Sequence, residues 1–189
     1  MHRRLLSGHA QRMANYRRVW VPGGTYFFTV NLLERNRRLL VDHIDLLRAA
    51  FVQTRATRPF DMIAAVVLPD HLHCVWQLPS GDADNASRWK AIKAAFSRSL
   101  TRGEWRSARR IAKDERGIWQ RRYWEHLVRD DRDLATHVDY VHFNPVKHRH
   151  VARVEDWPYS TFHRYVRDGT LPSDWAGTMD DAIGPGERK

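Results

Sequence analysis

Two pairs of side chains have the residue types and the spacing to carry out metal-assisted chemistry. His71 and His73 lie two residues apart in an apolar segment, and Tyr140 and Asn144 lie four residues apart in another. Alternate residues of a strand share a face, and residues four apart on a helix lie one turn above each other. Each pair therefore points in one direction if the first segment is a strand and the second a helix.

The two imidazoles could bind a divalent metal ion. With the amide oxygen of Asn144 they would form an incomplete shell, which leaves positions for water and a phosphate oxygen, as a Lewis-acid catalyst requires. This ligand set with phosphate favours Mg²⁺ or Mn²⁺ over a closed zinc site, although Zn²⁺ stays possible. A site made of carboxylates alone also stays open, but nothing in the spacing of Asp61, Asp70 and Glu125 favours it.

Tyr140 could act as a nucleophile beside such a metal. A phenol, with a pKa of about 10, attacks poorly at neutral pH unless a nearby charge favours the phenolate and the electrophile is polarised. Attack on a DNA phosphodiester would give a phosphotyrosyl enzyme and conserve the bond energy for rejoining. The alternative is structural, with Tyr140 at the boundary of the core and Asn144 ending a helix before Pro145.

A second H-x-H pair, His148 and His150, differs from the first in its surroundings. Eleven histidines in 189 residues give about 0.6 such pairs by chance, so the motif alone is weak evidence. His148 and His150 lie in a basic segment just after Pro145, which predicts surface or phosphate-contacting side chains. His71 and His73 alternate with apolar residues, which fixes a common direction for both rings.

Hydrophobic periodicity predicts the elements that must position these side chains. Strands are expected at residues 25–33, 62–68, 71–78 and 118–128. Helices are expected at residues 42–58, 87–101 and 133–144, the first capped by Asp42 and the last stopped by Pro145. This order is the ferredoxin-like βαββαβ pattern with one added helix, an α+β fold whose four-stranded antiparallel sheet is backed by helices.

The composition favours a nucleic-acid partner. The 189 residues suit one domain, and 32 Lys and Arg against 22 Asp and Glu give a formal net charge of +10, which suits a polyanion. The single cysteine, Cys74, allows neither an intrachain disulfide nor a cysteine metal cluster. With no long apolar stretch, we expect a soluble, cytoplasmic and nucleoid-associated protein that does not enter a membrane.

Several basic side chains are candidates for contacts to a phosphate backbone. They are expected on the outward face of the helix at residues 87–101, on the fourth strand and just after Pro145. Charge runs of this kind are also common on solvated helix faces. The candidates are Arg88, Lys90, Lys93, Arg98, Arg121, Arg122, Lys147 and His148.

Five segments of the chain resemble the REP-associated tyrosine transposases, which are relatives of the single-tyrosine HUH transposases. The segments occur in the family's order and span roughly residues 16–165. They are GGTYFFTV (23–30), LPDHLHCVWQLP (68–79), WQRRYWEHLVRD (119–130), YVHFNPVKH (140–148) and WPYSTFHRY (157–165).

The resemblance implies a ferredoxin-like HUH endonuclease fold and binding of single-stranded DNA hairpins from repetitive extragenic palindromes (REP). It implies that His71 and His73, with help from Asn144, bind Mg²⁺ or Mn²⁺, and that Tyr140 forms a 5′-phosphotyrosine linkage in nicking and strand transfer. Residues 16–165 would form the transposase domain, between a flexible basic arm (1–15) and a C-terminal tail (166–189). Both a monomer and a homodimer stay open.

Two other functions are compatible with the same sequence. One is a non-catalytic, sequence-specific DNA-binding protein that acts on repetitive palindromes. The other is an RNA-binding protein, since a four-stranded sheet with aromatic residues resembles RNA-recognition domains in outline, but the aromatic RNP pattern is missing.

Overall fold

The computed structural model describes residues 20–104 and 106–177, and in them four strands form one antiparallel sheet. The strands are β1 (Thr25–Asn31), β2 (Asp61–Val67), β3 (His71–Gln77) and β4 (Trp124–Leu127). Their spatial order is β2–β3–β1–β4, so β1 and β3 form the centre of the sheet. This order confirms the predicted ferredoxin-like α+β fold.

Helices cover both faces of this sheet. They are α1 (Leu39–Asp42), α2 (Ile44–Thr57), α3 (Asn85–Ser99), α4 (Ala108–Ala112), α5 (Asp131–Lys147) and α6 (Phe162–Arg167). The helix expected at residues 42–58 is α2, but its N-cap is His43 rather than Asp42, which is the last residue of α1. Within the described residues, none of the helices combines the length and the apolar character needed to cross a membrane.

The two faces of β3 belong to two separate cores. Leu72, Cys74 and Trp76 face a core that α2 and α3 cover, while Val75 faces a second core that α5 covers. His71 and His73 share the face of Val75, as the period of a strand requires. The face under α2 and α3 is therefore apolar, and the face under α5 carries the histidines.

The prediction that Pro145 ends the tyrosine helix was wrong. Pro145 has no N–H to donate to Val141, but α5 continues to Lys147. The turn after it is closed instead by the backbone N–H of His148, which donates to the carbonyl of Asn144 at 3.0 Å. Because of this extra turn, Lys147 lies on the same helix face as Tyr140, seven residues earlier.

Two other predicted boundaries differ from the structure. The fourth strand is shorter than residues 118–128, since Trp119 forms only an isolated bridge to Leu32, the residue after β1. The boundary expected at residue 165 falls inside α6, and Trp175 beyond it packs on Phe162 with ring centroids 6.0 Å apart. The arm predicted at 1–15 and the end of the tail, 178–189, lie outside the described residues.

Arg88 was predicted to face outward and contact DNA, and this was wrong. Its side chain is only 2% exposed. The guanidinium makes five hydrogen bonds: two to the Asp82 carboxylate, two to the Pro59 carbonyl and one to the Asp84 carbonyl. All five N–H donors of the side chain are thereby used. The Arg88 hydrogen bond is also the main reason why the pKa of Asp82 is below its ordinary value.

We expect Arg88→Ala to lower the free energy of unfolding by about 2–4 kcal/mol, because it removes a buried cation and leaves its acceptors unpaired. Urea unfolding followed by circular dichroism measures the change. Lys90→Ala, on the exposed face of the same helix, is the control and should stay within about 0.5 kcal/mol of the wild type. Equal stability of the two variants would show that Arg88 does not hold the loop of Asp82 in place.

Candidate active site

Three of the predicted site residues lie together on the sheet face under α5. The ring centroids of His71 and His73 are 5.0 Å apart, and those of His73 and Tyr140 are 5.3 Å apart. The histidines come from β3 and the tyrosine from α5, so the contact is made only when the helix crosses the sheet at this point. Asn144, one turn after Tyr140 on α5, is fully buried.

His71 is held by a carboxylate and an arginine. Its Nδ1 is 2.7 Å from Asp70 Oδ1, and Arg35 Nε donates to Asp70 Oδ2 at 2.6 Å. Burial raises the pKa of Asp70, but the hydrogen bonds from His71 and Arg35 outweigh it and hold this pKa at about 2. Burial also lowers the pKa of His71. At neutral pH we therefore expect an ionised Asp70 beside a neutral His71 that carries its proton on Nδ1.

The ring of His73 is fixed from two sides. Its Nδ1 is 2.9 Å from Thr29 Oγ1, the residue directly opposite on β1. Phe27 stacks on the ring at 5.5 Å with an interplanar angle of 18°. Because the Nδ1 atoms of both His71 and His73 are engaged by neighbouring side chains, metal binding by either ring would use Nε2.

The polar atoms of this site fit a divalent metal ion. Nε2 of His71 is buried and has no hydrogen-bond partner among residues 20–104 and 106–177. A buried polar atom without a partner costs about 1–3 kcal/mol, which a ligand would recover. Metal-binding histidines usually donate their other N–H to a carboxylate, as His71 does to Asp70. The donor set of two imidazoles therefore suits a metal whose remaining positions stay open.

Lys147 lies beside the phenol of Tyr140. Its ammonium donates to Tyr140 Oη at 3.1 Å and is 4.5 Å from the centroid of the ring. A cation next to a phenol oxygen favours the phenolate, which is the nucleophilic form. Lys147 was predicted only as a DNA contact. Its i, i+7 spacing from Tyr140 indicates the pairing once α5 is known to continue beyond Pro145.

A second cluster with metal-binding side chains joins the start of α5 to β4. Asp133 Oδ2 is 2.9 Å from His126 Nε2, and Asp133 Oδ1 is 3.1 Å from His137 Nδ1. Two imidazoles and a carboxylate can bind a divalent ion. Both ring nitrogens are already engaged by Asp133, however, since His137 Nδ1 is also 2.8 Å from the Asp133 carbonyl oxygen. Asp133 also accepts two hydrogen bonds from Arg129. The cluster therefore connects β4 to the start of α5.

The remaining basic candidates differ in exposure. Lys93 donates to the Gln120 carbonyl at 3.0 Å and lies over the Trp119 ring. His148 is half-buried against His71, with ring centroids 5.2 Å apart, rather than being a surface residue. The others are exposed: Lys90, Arg98, Arg121 and Arg122.

Sequence comparison places the chain in a family. No family model matches it. It is 47% identical to the REP-associated tyrosine transposase of Escherichia coli, over 93% of this chain and 98% of that protein. The chain belongs to the REP-associated tyrosine transposases. A second member, from Haemophilus influenzae, is 48% identical over 89% of this chain and 96% of its own length.

The fold of this family member agrees with a solved relative. A structure of a REP-associated tyrosine transposase bound to a REP hairpin has a TM-score of 0.81 and 46% identity to this chain. The match covers 94% of this chain and 99% of that one. The four-stranded sheet and its helices are therefore the architecture of the REP-associated tyrosine transposases.

We expect the chain to bind Mn²⁺ through His71 rather than through the cluster at His126. Isothermal titration with Mn²⁺ should show a binding event that His71→Ala abolishes and His126→Ala retains, because the His71 Nε2 lone pair is available and the His126 ring is already bonded to Asp133. Circular dichroism checks that both variants are folded. Loss of binding in His126→Ala alone would assign the metal to the other cluster.

Proposed function

We propose that this chain nicks and rejoins single-stranded DNA at REP hairpins through a metal-dependent reaction with a covalent 5′-phosphotyrosine intermediate. The observation that carries the proposal is the placement of His71, His73 and Tyr140 on one sheet face, with successive ring centroids 5.0 and 5.3 Å apart. We assign the activity to the domain expected at residues 16–165, together with the rest of α6, which ends at Arg167. The hairpin bound to the relative of 46% identity supports the choice of substrate.

His71, His73 and Asn144 would bind Mg²⁺ or Mn²⁺, which would act as a Lewis acid on the phosphate group that is attacked. The site is preorganised, because Asp70 and Thr29 fix the orientation of the two imidazoles through their Nδ1 atoms. Ligands held in this way need little reorganisation when the ion and the DNA bind.

In the first step, the phenol oxygen of Tyr140 attacks the phosphorus of a phosphodiester. A Tyr140 Oη–P bond forms, the P–O3′ bond breaks, and the phenolic proton ends on the released 3′-hydroxyl. Lys147 stabilises the negative charge on Tyr140 Oη as the proton leaves. In the reverse direction, a 3′-hydroxyl attacks the phosphotyrosine, the P–O bond to Tyr140 breaks, and the strand is rejoined without an external energy source.

A groove on the other face of the sheet offers a surface for the rest of the DNA. It has a volume of about 930 Å³ and lies between α3 and the segment before β4. Basic side chains line it together with the rings of Trp119 and Tyr123, a combination that suits a phosphate backbone and stacked bases. The predicted contacts in this groove are Lys90, Lys93, Arg98 and Arg121, while Arg122, Lys147 and His148 lie outside it.

We expect Tyr140→Phe to abolish covalent protein–DNA adducts while leaving hairpin affinity nearly unchanged, because it removes the attacking oxygen and little else. Denaturing gels with end-labelled hairpin DNA and Mn²⁺ measure the adduct, and fluorescence anisotropy measures binding. Tyr159→Phe, which removes a hydroxyl from a half-buried ring on another segment, is the control and should form adducts at the wild-type rate. Adducts formed by Tyr140→Phe would exclude Tyr140 as the nucleophile.

We expect Lys147→Met to slow adduct formation by about 10- to 100-fold under single-turnover conditions, because the phenolate loses the ammonium that stabilises it. Arg132→Met removes an exposed cation from the same helix and should leave the rate unchanged. Affinity for the hairpin should change no more in Lys147→Met than in the control. An adduct rate equal to that of the wild type would mean that Lys147 does not activate Tyr140.

A further inference from the structure

A row of aromatic rings leads from the nucleophile to a basic part of the surface. The rings are those of Tyr140, His73, His71, His148 and His150, and successive centroids are 5.3, 5.0, 5.2 and 6.2 Å apart. The second H-x-H pair of the sequence is therefore joined to the first by the contact between His148 and His71. The row runs from α5 across the end of β3 to the segment after α5.

The row ends at a recess of about 360 Å³. The loop of residues 35–38, with the sequence RNRR, forms one wall, and Asp70, His71, His148 and His150 form the other. Asp70 is the one carboxylate among the described residues that line the recess, and Arg35 already neutralises its charge. The recess is therefore positively charged beside the proposed metal site.

Two arginines of this loop are available to a ligand. Arg37 pairs with Glu34 at 3.0 Å and Arg38 with Asp42 at 3.7 Å, and about half or more of each side chain is exposed. Exposed pairs of this kind contribute about 0–1 kcal/mol. A phosphate group can therefore displace either carboxylate at little cost, and it would gain charge-assisted hydrogen bonds from the guanidinium.

We propose that this recess binds a phosphodiester of the DNA strand that flanks the one attacked by Tyr140. The attacked phosphate must contact Tyr140 Oη, and Tyr140 does not line the recess, so the two sites hold different phosphates of one strand. Arg37 and Arg38 bind the flanking phosphate and fix the direction in which the strand passes His71. The inference rests on the proposed function, since it assumes a strand positioned for attack by Tyr140.

The first test compares two double variants in a Tyr140→Phe background, so that binding is measured without chemistry. Arg37→Gln with Arg38→Gln empties the recess of two cations. Arg48→Gln with Arg153→Gln is the control, because it removes the same charge from two exposed ion pairs elsewhere. The probe is the REP hairpin of the solved relative with single-stranded flanks on both sides.

Fluorescence anisotropy over a range of salt concentrations gives the affinity and its salt dependence. We expect the recess variant to bind about tenfold more weakly at 0.1 M salt and its log–log salt slope to fall by about 0.7 per lost phosphate contact. The control should change much less. An equal loss of affinity in both variants would mean that the recess contributes only to the general positive charge of the protein, and it would overturn the proposal.

The second test replaces single flanking phosphates by neutral methylphosphonates. With the arginines present, one flanking position should lose about tenfold in affinity on replacement, and in the Arg37→Gln, Arg38→Gln variant the same replacement should have no further effect. Losses that are independent of the two arginines would overturn the proposal.

Adduct formation by the unmodified protein separates this inference from the proposed function. Suppose that adducts form but the affinity loss at every flanking phosphate is independent of Arg37 and Arg38. The recess would then be excluded as a phosphate site, and the proposed nicking reaction would be unaffected. If one flanking phosphate depends on the two arginines but no adducts form, the recess would be supported as a DNA subsite and the proposed chemistry would be excluded.

Discussion

The position of α5 across the sheet decides whether a site exists, and the ring of Phe27 sets that position. Its centroid is 5.5 Å from the ring of His73, 4.8 Å from His137 and 5.8 Å from Tyr140. The helix therefore rests on the same ring that stacks on the histidine. A shift of α5 by one turn, about 5.4 Å, is as large as the distance between His73 and Tyr140 and would separate them. Apolar packing, rather than a polar contact, brings the phenol to the imidazoles.

Polar contacts then hold the helix at its start and again beyond Tyr140. At its start, Asp130 caps the helix by accepting from the Asp133 N–H at 2.8 Å, and Asp133 bonds His126 on β4. Further along, His142 Nε2 is 3.1 Å from Thr161 Oγ1, which accepts a hydrogen bond from the Ala65 N–H of β2. A side chain between two fixed points of a rigid helix varies little in position, which is what an attack on one phosphorus atom requires. Asp130 and Asp133 thus position the helix without taking part in the proposed reaction, whereas Lys147 acts on Tyr140 itself.

The sequence predicts what depends on local periodicity and misses what depends on distant partners. The shared face of His71 and His73 follows from strand geometry, and this is why the strand and the sheet could be predicted. Arg88 has the pattern of a surface residue, but its partners come from Pro59 and from the loop before α3, which no helical period reveals. Lys147 was misplaced for a different reason, since a proline late in a helix can be tolerated when the following turn closes through other backbone groups.

The side chains proposed to bind the metal are uncharged, and this favours an anionic substrate independently of the net positive charge of the chain. Arg35 neutralises the charge of Asp70, and burial keeps His71 neutral. Imidazole and amide ligands carry no charge, so under the proposed function a bound Mg²⁺ or Mn²⁺ would keep its full charge toward phosphate, whereas carboxylate ligands would cancel part of it. In a buried site this difference is large, because little water screens it. The lack of a carboxylate in the proposed ligand set is therefore a reason to expect a phosphodiester, rather than a neutral molecule, beside Tyr140.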